Sequence, residues 1–415
     1  MQYVIVGVGP AGITACETIR KMEPNAEISL VTGQNEPPYS RMAIPYLLEE
    51  KISESGTYLR HDIYHFNQLK VKIIHDSALK IDCLNKDISL ESGNNIKYDK
   101  LLLATGASPI SPPIPGIDLD AVRNCWTLDD ARHIAEKATQ GSSVVLMGAG
   151  FIGCIILESL VKRGVKLTVV EMGDRMVPRM LDDTAGGMLK SWCESKGVTI
   201  LTGHQVTSIN EKESGLTVEI KDSQSLDADL VICATGVKSN IDFLTGSGIE
   251  IDQGVKVNQF LQTNIENVYA AGDVAQGKDF SDNSWHVQAI QPTAVEHGRI
   301  AGLNMVDSES CEHHGSINMN ILDTLGLIST SFGQWMGVPG GEQSILLDKK
   351  RHKYLNLQFD GECLVGLTSL GHTDNIGVVR GLIRGKVKLG NWKERLMQDP
   401  SRLMEAYLAT SIGLS

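Results

Sequence analysis

Two short apolar runs, residues 3–6 and 144–147, each break off into a glycine-rich turn and resume as a helical pattern. Runs without polar alternation suit strands buried on both faces, the kind found in parallel sheets. The turns read Gly7-Val8-Gly9-Pro10-Ala11-Gly12 and Gly148-Ala149-Gly150-Phe151-Ile152-Gly153. In a strand–turn–helix setting the first glycine permits the tight turn, the second lets the backbone approach a pyrophosphate, and the third lets helix and strand pack closely. The phosphates rest on the helix N-terminus, where free N–H groups and the helix dipole favour an anion. One such turn is weak evidence; two in one chain predict two bound dinucleotides.

After the second turn the run 166–170 ends in Glu171, about 20 residues on, where a carboxylate can accept hydrogen bonds from both hydroxyls of an adenosine ribose. The same charge repels a 2′-phosphate, so NADH is expected over NADPH, with Arg175 as the neighbour able to soften that preference. After the first turn the run 28–31 leads into Thr32-Gly33-Gln34-Asn35-Glu36 instead. Either Glu36 reaches the ribose from the loop, or no acid does.

Three further segments narrow the reading. Residues 98–106 and 228–236 are apolar runs ending in Ala-Thr-Gly (Ala104, Thr105, Gly106 and Ala234, Thr235, Gly236), and 263–273 ends in Gly272-Asp273. Over about the first 310 residues this set resembles the pyridine nucleotide-disulfide oxidoreductase superfamily of flavoproteins. The resemblance implies an α/β protein with two Rossmann-like folds, the first holding FAD and the second NAD(H), followed by a C-terminal α+β domain. It implies a split FAD domain (1–112 and 240–312), an inserted NAD(H) domain (113–239) entered through the proline-rich segment 108–116, and an interface domain (313–415). On the FAD side it assigns Gly7, Gly9, Pro10, Ala11, Gly12, Glu36, Arg41, Leu79, Ala104, Thr105, Gly106, Gly272 and Asp273, the last gripping the ribityl chain. Pro292 and Thr293 join them from 291–302, which resembles the helix whose N-terminus faces the flavin's pyrimidine edge. On the NAD side it assigns Gly148, Gly150, Phe151, Ile152, Gly153, Glu171 and Gly236.

Departures from the family pattern are as informative. Where single-cysteine relatives carry their redox thiol, this chain reads Met42-Ala43-Ile44-Pro45-Tyr46. A thioether cannot become a thiolate or form a mixed disulfide, so thiol chemistry is not expected. The Pro-Tyr-x-Arg stretch ending in Arg41 is closer to ferredoxin and rubredoxin reductases and to the FAD/NAD module of nitrite reductases. A planar guanidinium there suits the FAD pyrophosphate. Tyr46 takes the place of a flavin-facing lysine and is the one catalytic assignment. Ile155 replaces a glutamate found near the nicotinamide in many relatives, while Glu158, a turn later, reads as an ordinary helix residue.

In the remaining stretch, apolar or alternating runs at 343–347, 354–359 and 363–370 predict three antiparallel strands, with Asp360-Gly361 as a turn signal. Helical patterns follow at 375–384, 392–397 and 401–409. Charge reverses here: residues 375–402 hold seven basic against two acidic side chains, net +5, in a chain of net charge −12. Nucleic acid is therefore not an expected partner, whereas a basic face near Trp392 suits an acidic iron-sulfur protein.

With 415 residues, 42% hydrophobic, the chain is long enough for two or three cored domains. The first strand leaves no room for a signal peptide, and no apolar run approaches about 18 residues, so a cytoplasmic protein without a membrane span is expected. Eight scattered cysteines suit reduced buried thiols. Cys311-Glu312-His313-His314 gathers ligand types, but adjacent side chains rarely converge, and no metal is expected.

The expected activity is an FAD-dependent NADH oxidoreductase exchanging electrons with an iron-sulfur or rubredoxin-like protein or a metalloenzyme subunit, in either direction, as a homodimer or hetero-oligomer. The alternatives are a peroxide-forming NADH oxidase and an NADH-sensing scaffold flavoprotein.

Overall fold

A computed structural model describes residues 1–61 and 64–411. Strand Gln2–Val6 is the centre of a five-stranded parallel sheet in the order Val268–Ala270, Lys100–Leu103, Gln2–Val6, Glu27–Thr32, Val71–His75. Tyr3, Val4 and Ile5 are fully buried, in a core that takes in Ile13 and Ile19 of helix Pro10–Met22 and Ile81, Ile88 and Leu90 of a three-stranded antiparallel sheet, and each buried aliphatic side chain contributes about 1.5–3 kcal/mol. Helix Pro10–Met22, opened by proline at its first position, packs along helix Gln291–Val306.

A second sheet repeats the plan around strand Ser143–Met147: Thr199–Thr202, Lys166–Glu171, Ser143–Met147, Leu230–Cys233, Val122–Asn124, all parallel. The duplication extends to the accessory hairpins. A three-stranded antiparallel sheet precedes Lys100–Leu103 in the first fold, and another precedes Leu230–Cys233 in the second. The chain crosses between the folds along strands Ala107–Pro109 and Val237–Ser239, which pair antiparallel.

The C-terminal region is an antiparallel sheet with helices on one face. The three expected strands are present as Glu342–Asp348, Lys353–Asp360 and Cys363–Leu370. Two strands not foreseen, Met319–Thr324 and Leu327–Gly333, complete it to five. Alternation divides the faces: Leu355, Leu357 and Leu367 meet helices Val378–Arg384, Asn391–Gln398 and Leu403–Ser411, whereas Leu322, Tyr354 and Leu370 pack on the second parallel-sheet fold. No described helix is long and apolar enough to cross a membrane.

Candidate functional site

A Cβ on Gly7 would stand 2.1 Å from the Ala104 carbonyl oxygen, and one on Gly12 2.1 Å from that of Gly7. Strand end, turn and helix therefore meet backbone to backbone, which only glycine permits. Gly9 between them opens onto free space. The second turn is built alike: Gly148 would meet the Ala234 carbonyl at 2.5 Å, Gly153 that of Gly148 at 2.2 Å, and Gly150 is open.

The first turn opens into a cleft of about 630 Å³. Gly7, Gly9, Pro10, Ala11, Glu36, Arg41, Ala104, Thr105, Gly106, Gly272 and Asp273 lie on its walls, together with Phe151 and Ile152 of the second fold. Gly12 is behind the wall, at the helix contact. Burial pushes the Asp273 carboxyl up from its ordinary range, with the Arg41 guanidinium opposing the shift. Arg41 donates to the Ala107 carbonyl at 3.1 Å and lies over the Trp126 ring at 4.7 Å, and Trp126 Nε1 donates to the same carbonyl at 3.0 Å. Thr105 and Asn240 are locked reciprocally: the Thr105 hydroxyl donates to the Asn240 carbonyl at 3.0 Å, and the Asn240 amide to that of Thr105 at 2.9 Å. Glu36 pairs with Arg132 at 3.2 Å.

From the second fold, helix Phe151–Lys162 presents Phe151, Ile152, Ile155 and Ile156 to the same cleft. Gly148, Gly150, Gly153, Glu171 and Gly236 lie outside its walls, in the second turn and the adjoining strand ends. Glu171 accepts the backbone N–H groups of Ala149 and Gly173, each at 2.6 Å, which fixes a carboxylate against the glycine turn. Arg175 is committed elsewhere, donating to the Leu181 carbonyl at 3.0 Å and pairing with Asp174 at 2.9 Å and Asp183 at 2.8 Å.

Four expected positions turn away. Leu79 is 63% exposed, and its neighbour Ala78 lines the cleft, because Leu79 is the unpaired residue of a bulge between Ala78 and Lys80. Tyr46 is 52% exposed and sits below Lys51, while Met42, Ile44 and Pro45 form the wall. On helix Gln291–Val306 the cleft receives Gln291 and Ala294, one turn apart. Pro292 and Thr293, on the opposite face, line a second cavity instead. Wall residues that sequence patterns missed include Trp126, Cys125 and Asn240. Only Asn240 had a local signal, following closely on an Ala-Thr-Gly strand end.

The second cavity, about 340 Å³, lies between helix Gln291–Val306 and helix Val378–Arg384 and is walled by Arg299, Arg380 and Arg384 with Glu296. Within it Arg384 pairs with Glu296 at 3.8 Å, and further along the basic segment Lys393 pairs with Glu342, Arg402 with Glu405, and Arg395 and Arg402 lie over Trp392.

Burial pushes the thiols of Cys16 and Cys193 up to about 12 and those of Cys125 and Cys154 further, so they are thiols, not thiolates, at neutral pH. His313 is buried and edge-on to buried His297 at 4.6 Å, whereas His314 points outward. No group of three or more possible metal ligands exists among the described residues.

Residues 1–298 match the family model described as pyridine nucleotide-disulphide oxidoreductase. The chain is 34% identical over 403 residues to the NADH-dependent phenylglyoxylate dehydrogenase subunit epsilon of Aromatoleum evansii, covering 96% of this chain and 95% of that one. It is 33% identical to an NADH oxidase of Methanocaldococcus jannaschii, covering 75% and 71%. It is 26% identical to an NADH-rubredoxin oxidoreductase of Clostridium acetobutylicum, covering 89% and 92%. Among solved structures, the reductase of a covalent putidaredoxin reductase–putidaredoxin complex shares the fold at TM-score 0.90 and 20% identity over 99% of both chains. The two glycine turns, the cleft walled from both folds and these matches together establish that the chain belongs to the pyridine nucleotide-disulphide oxidoreductase family.

Proposed function

We propose that this enzyme is an FAD-dependent NADH oxidoreductase that passes electrons between NAD(H) and a protein partner, either an iron-sulfur or rubredoxin-like carrier or a metalloenzyme subunit. The observation that carries the reading is the single cleft shared by both folds, in which the wall segment Met42, Ile44 and Pro45 offers no thiol.

The residues fit a flavin dinucleotide. The open space at Gly9 accepts a diphosphate at the start of helix Pro10–Met22, and Arg41, stacked and hydrogen-bonded in place, supplies a planar donor to it. Asp273 is a sunken carboxyl suited to a ribityl hydroxyl. The first turn of helix Gln291–Val306 directs its positive end at the cleft through Gln291 and Ala294, an arrangement that favours negative charge there. FAD, when bound, supplies two-electron exchange with nicotinamide and one-electron exchange with a metal centre. The apolar side chains Phe151, Ile155 and Ile156 exclude water from the nicotinamide side, and Glu171 binds the adenosine ribose. We assign residues 1–112 and 240–312 to the FAD domain, 113–239 to the NAD domain, and 313–415 to an interface domain.

The arginine-walled cavity is the face we assign to partner docking. Its guanidinium groups outnumber its single carboxylate, and it adjoins the helix that reaches the cleft. The named activities of the relatives, one a dehydrogenase subunit and one a rubredoxin reductase, support exchange with a protein partner in either direction. Eight unpaired thiols fit a reducing compartment, and we assign the cytoplasm.

The test is an anaerobic NADH titration of the flavin-loaded protein followed by admission of air. Bleaching with slow reoxidation supports the proposal. Rapid reoxidation makes it an oxidase, and absence of bleaching makes it a partner-gated or scaffold flavoprotein.

A further inference from the structure

Strands Met319–Thr324 and Leu327–Gly333 are joined by Leu325 and Gly326, at φ 54° and 84°. A two-residue turn with both residues left-handed is the hairpin geometry that asparagine and glycine ordinarily fill. A leucine in the first position is strained, because its Cβ crowds the following carbonyl oxygen, so something beyond the turn holds it there. Its side chain packs on the core of the second fold. Both of its backbone polar groups are taken by that fold too: Glu158 Oε2 accepts its N–H at 3.1 Å, and Trp192 Nε1 donates to its carbonyl at 3.2 Å.

Glu158 does not stop at the hairpin. Its other oxygen pairs with Lys162, whose ammonium also pairs with Glu49 at 2.9 Å. Next to it, buried Ser159 donates to the Pro45 carbonyl at 3.1 Å, and Arg163 donates to that of Leu48 at 2.9 Å. Pro45 is a wall of the cleft, and so are Ile155 and Ile156 a turn earlier on the same helix. Helix Phe151–Lys162 is thus gripped on one side by the strained hairpin tip and on the other by the flavin-side segment, while its first turns face the nicotinamide side.

We infer that the Leu325 tip, held by Glu158 and Trp192, is a latch through which the C-terminal domain sets the position of the nicotinamide-side helix for hydride transfer. Glu158 and Trp192 are positioning residues. The inference rests on the NADH oxidoreductase reading above.

The test combines anaerobic stopped-flow reduction of the flavin-loaded protein by NADH with hydrogen exchange of the 319–333 hairpin. Glu158→Ala removes the acceptor, Trp192→Phe removes the indole N–H while keeping an aromatic ring, and Glu158→Gln retains an acceptor for the Leu325 amide. The limiting reduction rate at saturating NADH should fall about tenfold or more in the first two, with the NADH dissociation constant and the flavin potential unchanged. Glu158→Gln should stay within about twofold of wild type. Hairpin exchange should quicken in the first two variants only. Faster exchange with an unaltered limiting rate overturns the latch, as does a rate loss matched by a weaker NADH dissociation constant. If Glu158→Ala does not fold, Trp192→Phe against Glu158→Gln decides alone. A wild-type flavin that NADH does not bleach sinks the functional reading itself, whereas a bleached wild type with unaltered variants sinks only the latch.

Discussion

Arg41 and Trp126 share one acceptor: both donate to the Ala107 carbonyl, at 3.1 and 3.0 Å, with the guanidinium 4.7 Å above the indole ring. The indole thereby fixes the plane of the cation that we assign to the diphosphate. Trp126→Phe keeps the stack and loses the second hydrogen bond, and Trp126→Ala loses both. The expected FAD dissociation constants rise by a few-fold and by about tenfold, from about 0.5–1 kcal/mol for each lost contact. Flavin fluorescence titration checks the order.

Glu171 should decide between the nicotinamide cofactors, because its carboxylate is anchored to the glycine turn and Arg175 is tied to Leu181, Asp174 and Asp183. For Glu171→Ala, kcat/KM with NADH is expected to drop about tenfold or more, as befits a lost charged hydrogen bond of about 1.5–3 kcal/mol. The value with NADPH should hold or rise. Equal loss with both cofactors would mean the residue only supports the turn.

His297 links stability to pH. Burial, reinforced by His313, brings its pKa down from 6.5 to about 3. The folded protein therefore keeps this ring neutral where the unfolded chain would protonate it. Its contribution is complete above about pH 6.5 and is lost as pH falls from there towards about 3, at up to about 1.4 kcal/mol per pH unit. Urea unfolding at pH 8, 6.5 and 5 should show wild type losing more stability than His297→Leu over the lower interval. Parallel curves would contradict the assignment.

For docking, charge reversal at Arg299 and Arg380 should slow reduction of a rubredoxin about tenfold or more at low ionic strength and flatten its salt dependence. Reduction of the flavin by NADH and of ferricyanide, a small acceptor that needs no docking surface, should not change. If ferricyanide reduction falls equally, the cavity is part of the redox site itself.

The two parallel-sheet folds are legible in the sequence because their glycines answer to backbone contacts that no other residue allows, as the 2.1 Å approach at Gly7 makes plain. Arg41 is legible for a similar reason, lying a fixed short distance from a recognisable turn. What the sequence hides is produced by long-range packing. Trp126 meets Arg41 across 85 residues, and no spacing rule reports that. The hairpin at Leu325 hides because its turn lacks asparagine or aspartate and depends on Glu158 and Trp192 for its shape. Tyr46 and Leu79 lie one position out of phase with the wall: Pro45 and Ala78 line the cleft while the two side chains are exposed.

The antiparallel pairing of Ala107–Pro109 with Val237–Ser239 has a consequence for the architecture as a whole. The chain leaves the first fold and returns to it on adjacent strands, so the ends of everything between them lie about 5 Å apart. A linker of two or three residues would rejoin them. The second fold is therefore a closed excursion from the first, whose sheet keeps its strand order, Val268–Ala270 beside Lys100–Leu103, across the whole length of the insertion.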